Sequence, residues 1–400
     1  MSGWPAVIDG RAMQAGFKAH KERGIGRYAQ NLLAAMLAEV GPQGLELLVQ
    51  GNLPDPDFDS RVKRLPAGYL PRWLPYGKRL ISHYWLARRP LLPAWRAGRV
   101  VHFIAHLDAP LWPLRPTVIT VHDLIAQRLP QIYSQGVSQA RFRLERWVET
   151  RCLGRAQRLI AVSECTKRDL VELYGLDPER VSVVHEAADP HLAPVADPAA
   201  RAAVLARHGL EPGAPFFFYL GGIDQRKDMP GLLEALAICR ATDERALLVM
   251  AGSIEGDKQY PAFLGHIKRL GLEHAVRRLG FVADDDLPAL FSACVAFVFP
   301  SLYEGFGLPP LEAMACGAPV IAVAAAAVPE VVGQAGLLTP PGRPAELAQA
   351  MGEVLARPEL ADQLRQAGAA RARLFSWRRA ARETLAVYGQ ALEEWADGRT

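Results

Sequence analysis

The sequence is short of cysteine, with five in 400 residues, at positions 152, 165, 239, 294 and 316. The set is odd in number and scattered, and holds no Cys-x-x-Cys pair. It therefore argues against both a disulfide framework and a zinc-ligand spacing. Free thiols fit a reducing cytosol. Long apolar runs are missing as well. The run 318–329 is alanine-rich and well short of the roughly 20 residues that span a bilayer. The start, Met1-Ser2-Gly3-Trp4-Pro5, has neither the basic nor the apolar region of a secretory leader, so a cytoplasmic location is expected. Acid is missing from one long stretch: residues 60–107 hold ten Lys or Arg and no Asp or Glu.

What is present is an ordinary globular composition, 50% hydrophobic and 22% charged with a net charge of +4, over a length that predicts roughly two domains. The acid-free stretch is interleaved with Tyr69, Trp73, Tyr76, Tyr84, Trp85 and Trp95. Cations beside Trp and Tyr suit an anionic membrane surface or nucleic acid. A solvated basic face over core aromatics is the plainer alternative. No nucleic-acid motif accompanies the patch, so nucleic acid is not expected as a partner.

Strands are predicted at 6–9, 45–49, 100–104, 117–121, 158–162 and 181–184, then at 216–220, 246–250, 276–281, 294–299 and 320–323, with helical periodicity between them. That alternation predicts an α/β chain of two doubly wound, Rossmann-like domains. The polar, proline-marked 185–198 segment reads as their connection. The expected division is 1–192, 193–374 and a final helix within 375–400.

The stretch 298–317 organises the second half. An apolar strand feeds Glu304-Gly305-Phe306-Gly307-Leu308 and then a helix opened by Pro309-Pro310 and closed by Gly317. The N–H groups of Phe306, Gly307 and Leu308 can converge on an anion at the helix N-terminus. Glu304 and Glu312 flank that cradle. A second strand–turn–helix carries Gly221-Gly222 and the adjacent cations Arg226-Lys227, suited to a diphosphate or simply solvated. His122 closes strand 117–121, at the end where α/β sheets bind ligands, although a lone His is more often structural. Gly24, Gly26 and Ala29 satisfy the G-x-G-x-x-A pattern, but the preceding strand ends far upstream and the next one carries no acid for a ribose. A NAD site is therefore disfavoured. Asp284-Asp285-Asp286 has the Asp-x-Asp form of a Mg²⁺ site but is better read as acid at a helix start, and no metal or cofactor is expected.

Residues 304–320, Glu-Gly-Phe-Gly-Leu-Pro-Pro-Leu-Glu-Ala-Met-Ala-Cys-Gly-Ala-Pro-Val, resemble the Glu-x7-Glu signature of the retaining glycosyltransferases of family 4. The resemblance extends over nearly the whole chain and is weakest over 52–99. It implies the GT-B fold, with two Rossmann-like domains facing across a cleft, a nucleotide-sugar donor and no metal. It assigns Glu312 to the ribose and Glu304 to sugar hydroxyls near the anomeric carbon. It gives Arg226 and Lys227 to the diphosphate, the loop of Gly24 and Gly26 to the donor phosphates, and the backbone near Val282 to the base. His122 would contact the donor sugar. Family members commonly show Gly-Arg where Gly221-Gly222 stand, and Asn-Gly where Glu186-Ala187 stand. The versions Gly-Ile-Asp-x-Arg-Lys and Gly-Ile-Gly-Arg-Tyr resemble bacterial mannosyltransferases of O-antigen and exopolysaccharide assembly. They imply GDP-mannose, a glycan or polyprenyl-diphosphate-linked acceptor, and the inner face of the cytoplasmic membrane, with residues 60–107 as the membrane contact. The competing classes are a transferase using UDP- or ADP-glucose with a soluble acceptor, a NAD-dependent oxidoreductase and a catalytically silent scaffold.

Overall fold

The computed structural model describes residues 6–17, 24–68, 88–133 and 139–398. The chain forms two units, one of Met1–Glu186 with Ser376–Thr400 and one of Ala187–Phe375.

In the first unit the described strands are β1 (Ala6–Asp9), β2 (Leu45–Gln50), β3 (Lys63–Ala67), β4 (Val101–Phe103), β5 (Thr117–Val121), β6 (Arg158–Ala161) and β7 (Val181–Val183). They form a parallel sheet in the order β3-β2-β1-β4-β5-β6-β7. The second unit repeats the plan with β8 (Phe216–Leu220), β9 (Leu247–Ala251), β10 (Val276–Gly280), β11 (Ala296–Phe299), β12 (Val320–Val323) and β13 (Leu337–Thr339), in the order β10-β9-β8-β11-β12-β13. The central strands read as unbroken apolar runs because helices cover both faces of each sheet; Phe217, Phe218, Phe297 and Phe299 have no exposed surface. The order reverses between β1 and β4 in one sheet and between β8 and β11 in the other. Loops leaving the carboxyl ends of those strands diverge there, and the crevice between them is where such sheets hold ligands. Two Rossmann-like sheets of this kind constitute the GT-B fold.

Close backbone approach fixes the crevice of the second unit. Gly221 and Gly252, just past β8 and β9, have φ of 149° and 141°. A Cβ on Gly252 would lie 2.3 Å from the Gly221 carbonyl oxygen. Gly252→Ala must therefore part the two strand ends. It is expected to cost roughly 2–4 kcal/mol, read as a fall in the urea midpoint of the second unit. An unchanged midpoint would show that the turn relaxes freely.

The last helix, Trp377–Ala396, belongs to the first unit, and Ser376 caps it by accepting from the Arg379 N–H at 3.2 Å. Its Tyr388 hydroxyl bonds His102 Nδ1 at 2.7 Å, and His102 Nε2 bonds Thr120 at 2.8 Å. All three residues are buried.

One local expectation needs correction, and the open reading of 60–107 is narrowed. Gly24 and Gly26 open the helix Gly24–Val40 rather than lying in a loop. Buried Tyr28, Ala29, Leu32, Leu33 and Met36 carry the helical spacing, and that packing outweighs the weak helix preference of glycine. Within 60–107, Lys63–Ala67 is an edge strand, and Lys63 and Arg99 both pair with Glu46. Trp95 is core, its indole N–H donating to Thr117 at 2.9 Å. Tyr69, Trp73, Tyr76, Tyr84 and Trp85 lie outside the described residues.

Candidate functional site

The second sheet brings together charges 77 residues apart in sequence. β8 runs into Gly221-Gly222 and the turn Gln225–Lys227; β11 runs into Ser301–Gly307. Because β8 and β11 are neighbours in the sheet, the two loops meet, and the Leu302 N–H donates to the Arg226 carbonyl at 2.7 Å.

Glu304 Oε1 is the hub. It accepts from Arg226 at 2.5 Å, from Lys227 Nζ at 2.7 Å and from the Ser301 hydroxyl at 2.6 Å. Arg226 also pairs with Asp224 at 3.1 Å. The Lys227 ammonium lies 4.9 Å from the centre of the Phe299 ring, a cation–π contact in a largely desolvated place. Burial would raise the Glu304 carboxyl, but the charges of Lys227 and Arg226 outweigh it and hold the group below its ordinary value. Burial pulls the Lys227 ammonium down, against the opposing pull of Glu304. The carboxylate assigned to sugar hydroxyls is thus bonded to the cations assigned to the diphosphate. Ser301 escaped the sequence reading. It is a fully buried hydroxyl at the end of an otherwise apolar strand, and that change of polarity was the available signal.

The glycine cradle follows directly. Gly307 has φ of 119° and precedes the helix Leu308–Ala315, a conformation that a Cβ would oppose. Pro309 and Pro310 have no N–H, so the donors at this helix start come from Leu308 and the residues before it. Phe306 is buried edge-on against Phe375, ring centres 5.8 Å apart. Glu312 is buried one turn into the helix. The Gly222 carbonyl accepts from the Tyr219 hydroxyl at 2.5 Å. Val282 is buried just past β10, while Phe281 beside it is 78% exposed. Asp286 accepts from His208 at 2.9 Å and also pairs with Arg207. Among the described residues no cluster of three or more His, Cys, Asp or Glu is arranged to hold a metal ion.

His122, Gly24 and Gly26 belong to the first unit. His122 lies at the carboxyl end of β5, its Nδ1 2.9 Å from Glu186 and its Nε2 3.0 Å from the Ile104 carbonyl oxygen. Tyr28 meets its ring edge-on, centroids 4.6 Å apart. Both ring nitrogens are therefore engaged within the unit, and a polar contact to a sugar requires one of these bonds to be exchanged. Glu186 was read only as part of the connection; nothing in its local sequence signals a histidine 64 positions away.

Residues 201–371 match the family "Glycosyl transferases group 1" and residues 23–192 match "Glycosyltransferase Family 4". The chain is 29% identical to the O-antigen chain mannosyltransferase B of Escherichia coli over 91% of its own length and 95% of that protein's. It is 31% identical to the alpha-maltose-1-phosphate synthase of Mycobacterium tuberculosis, over 73% and 79% of the two chains. The solved sucrose-phosphate synthase of Thermosynechococcus elongatus superposes with a TM-score of 0.72 at 23% identity, over 96% of this chain and 98% of that one. With the signature of residues 304–320 in place on a GT-B fold, this chain belongs to the family 4, group 1 glycosyltransferases.

Proposed function

We propose that this glycosyltransferase moves mannose, with retention, from GDP-mannose to a glycan or polyprenyl-diphosphate-linked acceptor in cell-surface polysaccharide synthesis. The observation that carries the site is the convergence of Arg226, Lys227 and Ser301 on Glu304 beside the Gly307 helix start. The choice of mannose draws on the near full-length likeness to an O-antigen chain mannosyltransferase.

In this reading the diphosphate rests on the amides of Phe306, Gly307 and Leu308, with Arg226 and Lys227 on its oxygens. As the anomeric C–O bond breaks, its electron pair passes to the β-phosphate oxygen, and fixed cations in a dry site stabilise that charge most. The acceptor hydroxyl attacks the same face, forms the new C–O bond and gives its proton to the leaving phosphate. Glu304 and His122 orient the sugar, Glu312 holds the ribose, and the backbone near Val282 meets the base. Gly24, Gly26 and Gly222 lie close to the donor phosphates, and no metal takes part. Among the described residues no helix is long and apolar enough to cross a membrane; work at the inner face of the cytoplasmic membrane would be peripheral.

A second reading, glucose from UDP- or ADP-glucose onto a soluble acceptor, draws on the likeness to alpha-maltose-1-phosphate synthase. Calorimetric titration with GDP-mannose, UDP-glucose, ADP-glucose and NAD separates them. Binding of GDP-mannose at least tenfold tighter than the others is expected. Preference for a glucose donor would favour the second reading, and binding of NAD alone would end both.

A further inference from the structure

The helix Gln139–Arg155 turns an unusual face outward. Between 143 and 155 its exposed side chains include Arg143, Arg146, Arg151 and Arg155 around Leu144 and Trp147, with no exposed carboxylate. Leu144 is 50% and Trp147 45% exposed. The spacing 144, 147, 151 places these positions on one stripe of the helix. The Arg151 guanidinium stands over the Trp147 ring at 5.4 Å.

The inner face explains why this arrangement is held. Val148, Glu149, Cys152 and Leu153 are buried. Glu149 accepts from the Tyr174 hydroxyl at 2.6 Å, lies 3.5 Å from His106 and also bonds Gln127. The helix's buried acid is thus spent inward, and the outward face is left basic and apolar. His106 begins the segment after β4 that carries Leu107 and Trp112, 49% and 39% exposed. Two leucines and two tryptophans are therefore presented by neighbouring segments of the same unit.

We propose that this face, with Leu107 at the end of the 60–107 stretch on its margin, docks the protein on an anionic lipid bilayer. Arginines supply charge complementarity to lipid phosphates. Half-exposed Trp and Leu among cations fit the headgroup–acyl boundary, where the rings and aliphatic groups leave water and the guanidiniums stay in it. A soluble polyanion would use the arginines and leave the apolar side chains in water. The face adjoins the carboxyl edge of the first sheet: His106 lies two residues past Ile104, whose carbonyl bonds His122. A lipid-linked acceptor would meet that edge at the bilayer surface. The surface deepens the proposed use of such an acceptor and is tested apart from it.

The test is co-sedimentation of the full chain with vesicles of equal parts phosphatidylcholine and phosphatidylglycerol, and with phosphatidylcholine alone. The wild type should pellet with the anionic vesicles only and be released at about 0.5 M salt. The pair Arg143→Ala with Arg151→Ala should weaken binding roughly 25-fold, about fivefold per cation. Leu144→Ser with Trp147→Ser should weaken it about tenfold or more. Unchanged thermal melts and nucleotide-sugar titrations show that both double variants remain folded, and failure of donor binding would leave the vesicle result standing. The proposal is overturned if the wild type ignores anionic vesicles or binds neutral ones equally, or if both double variants bind like the wild type. It also fails if the wild type prefers an oligonucleotide to the vesicles and the arginine pair abolishes that preference.

Discussion

Lys227→Met is expected to lower kcat/KM for sugar transfer by about 10²–10³ while leaving the protein folded. The ammonium sits in a largely desolvated place against Phe299 and 2.7 Å from Glu304, where a fixed charge acts on a leaving diphosphate far more strongly than in water. Methionine keeps the apolar stem over the ring. Glu304 is then left with Arg226 and Ser301 as partners, so no buried charge is orphaned and stability should change by less than about 1.5 kcal/mol. Glu304→Gln is the companion. It keeps a hydrogen-bonding oxygen for Ser301 but removes the charge that offsets two cations, and is expected to lose activity to a similar degree with a larger loss of stability. Because the three side chains share one oxygen, the double variant should lose far less than the product of the two single losses. Steady-state kinetics on folded protein decide the matter: Lys227→Met at wild-type kcat/KM would remove the cation from the mechanism.

The second large effect is acid instability of the first unit. His102 is buried between Tyr388 and Thr120, and burial, aided by the charge of His122, depresses it from 6.5 to about 3. Native protein therefore keeps the ring neutral at pH values where the unfolded chain protonates it. Stability from this group is complete above pH 6.5 and is lost as pH falls toward 3. At pH 4.5 the loss is about 2.7 kcal/mol, two pH units at 1.36 each. Tyr28 and Tyr388, both raised by burial, stay neutral throughout. His106 has the opposite sign: the pull of Glu149 overcomes burial and raises it, so its contribution is full in acid and lost as pH rises through the raised value. His102→Gln retains a hydrogen-bonding side chain but does not titrate. Its stability at pH 7 should fall, yet its loss between pH 7 and 4.5 should be smaller than the wild type's by about 2.7 kcal/mol. Hydrogen exchange of the β4 and β5 amides in urea reports on this unit alone. Parallel pH profiles for the two proteins would refute the assignment.

Legibility from sequence followed locality. The strands at 117–121 and 320–323 appear as read, because apolar runs and glycine breaks act over a few residues. The glycine cradle at 304–308 was legible for the same reason. Trp95 was left open between core and surface because cation density along a stretch says nothing about which side chains turn inward. Gly24 and Gly26 were read as loop because intrinsic preference was allowed to outrank the packing of Tyr28 and Leu32.

The sequence by itself therefore determined two Rossmann-like halves, the family and most of the candidate residues, since each rests on short-range pattern. Only the tertiary structure decided that Arg226, Lys227 and Ser301 converge on Glu304, that Glu186 and the Ile104 carbonyl hold His122, and that Trp147 faces water while Trp95 does not. The physical reason is the order of the sheets. Strands adjacent at the reversal point are far apart in the chain, and the charges on their loops meet only once the hydrogen-bonded sheet has placed the strand ends side by side.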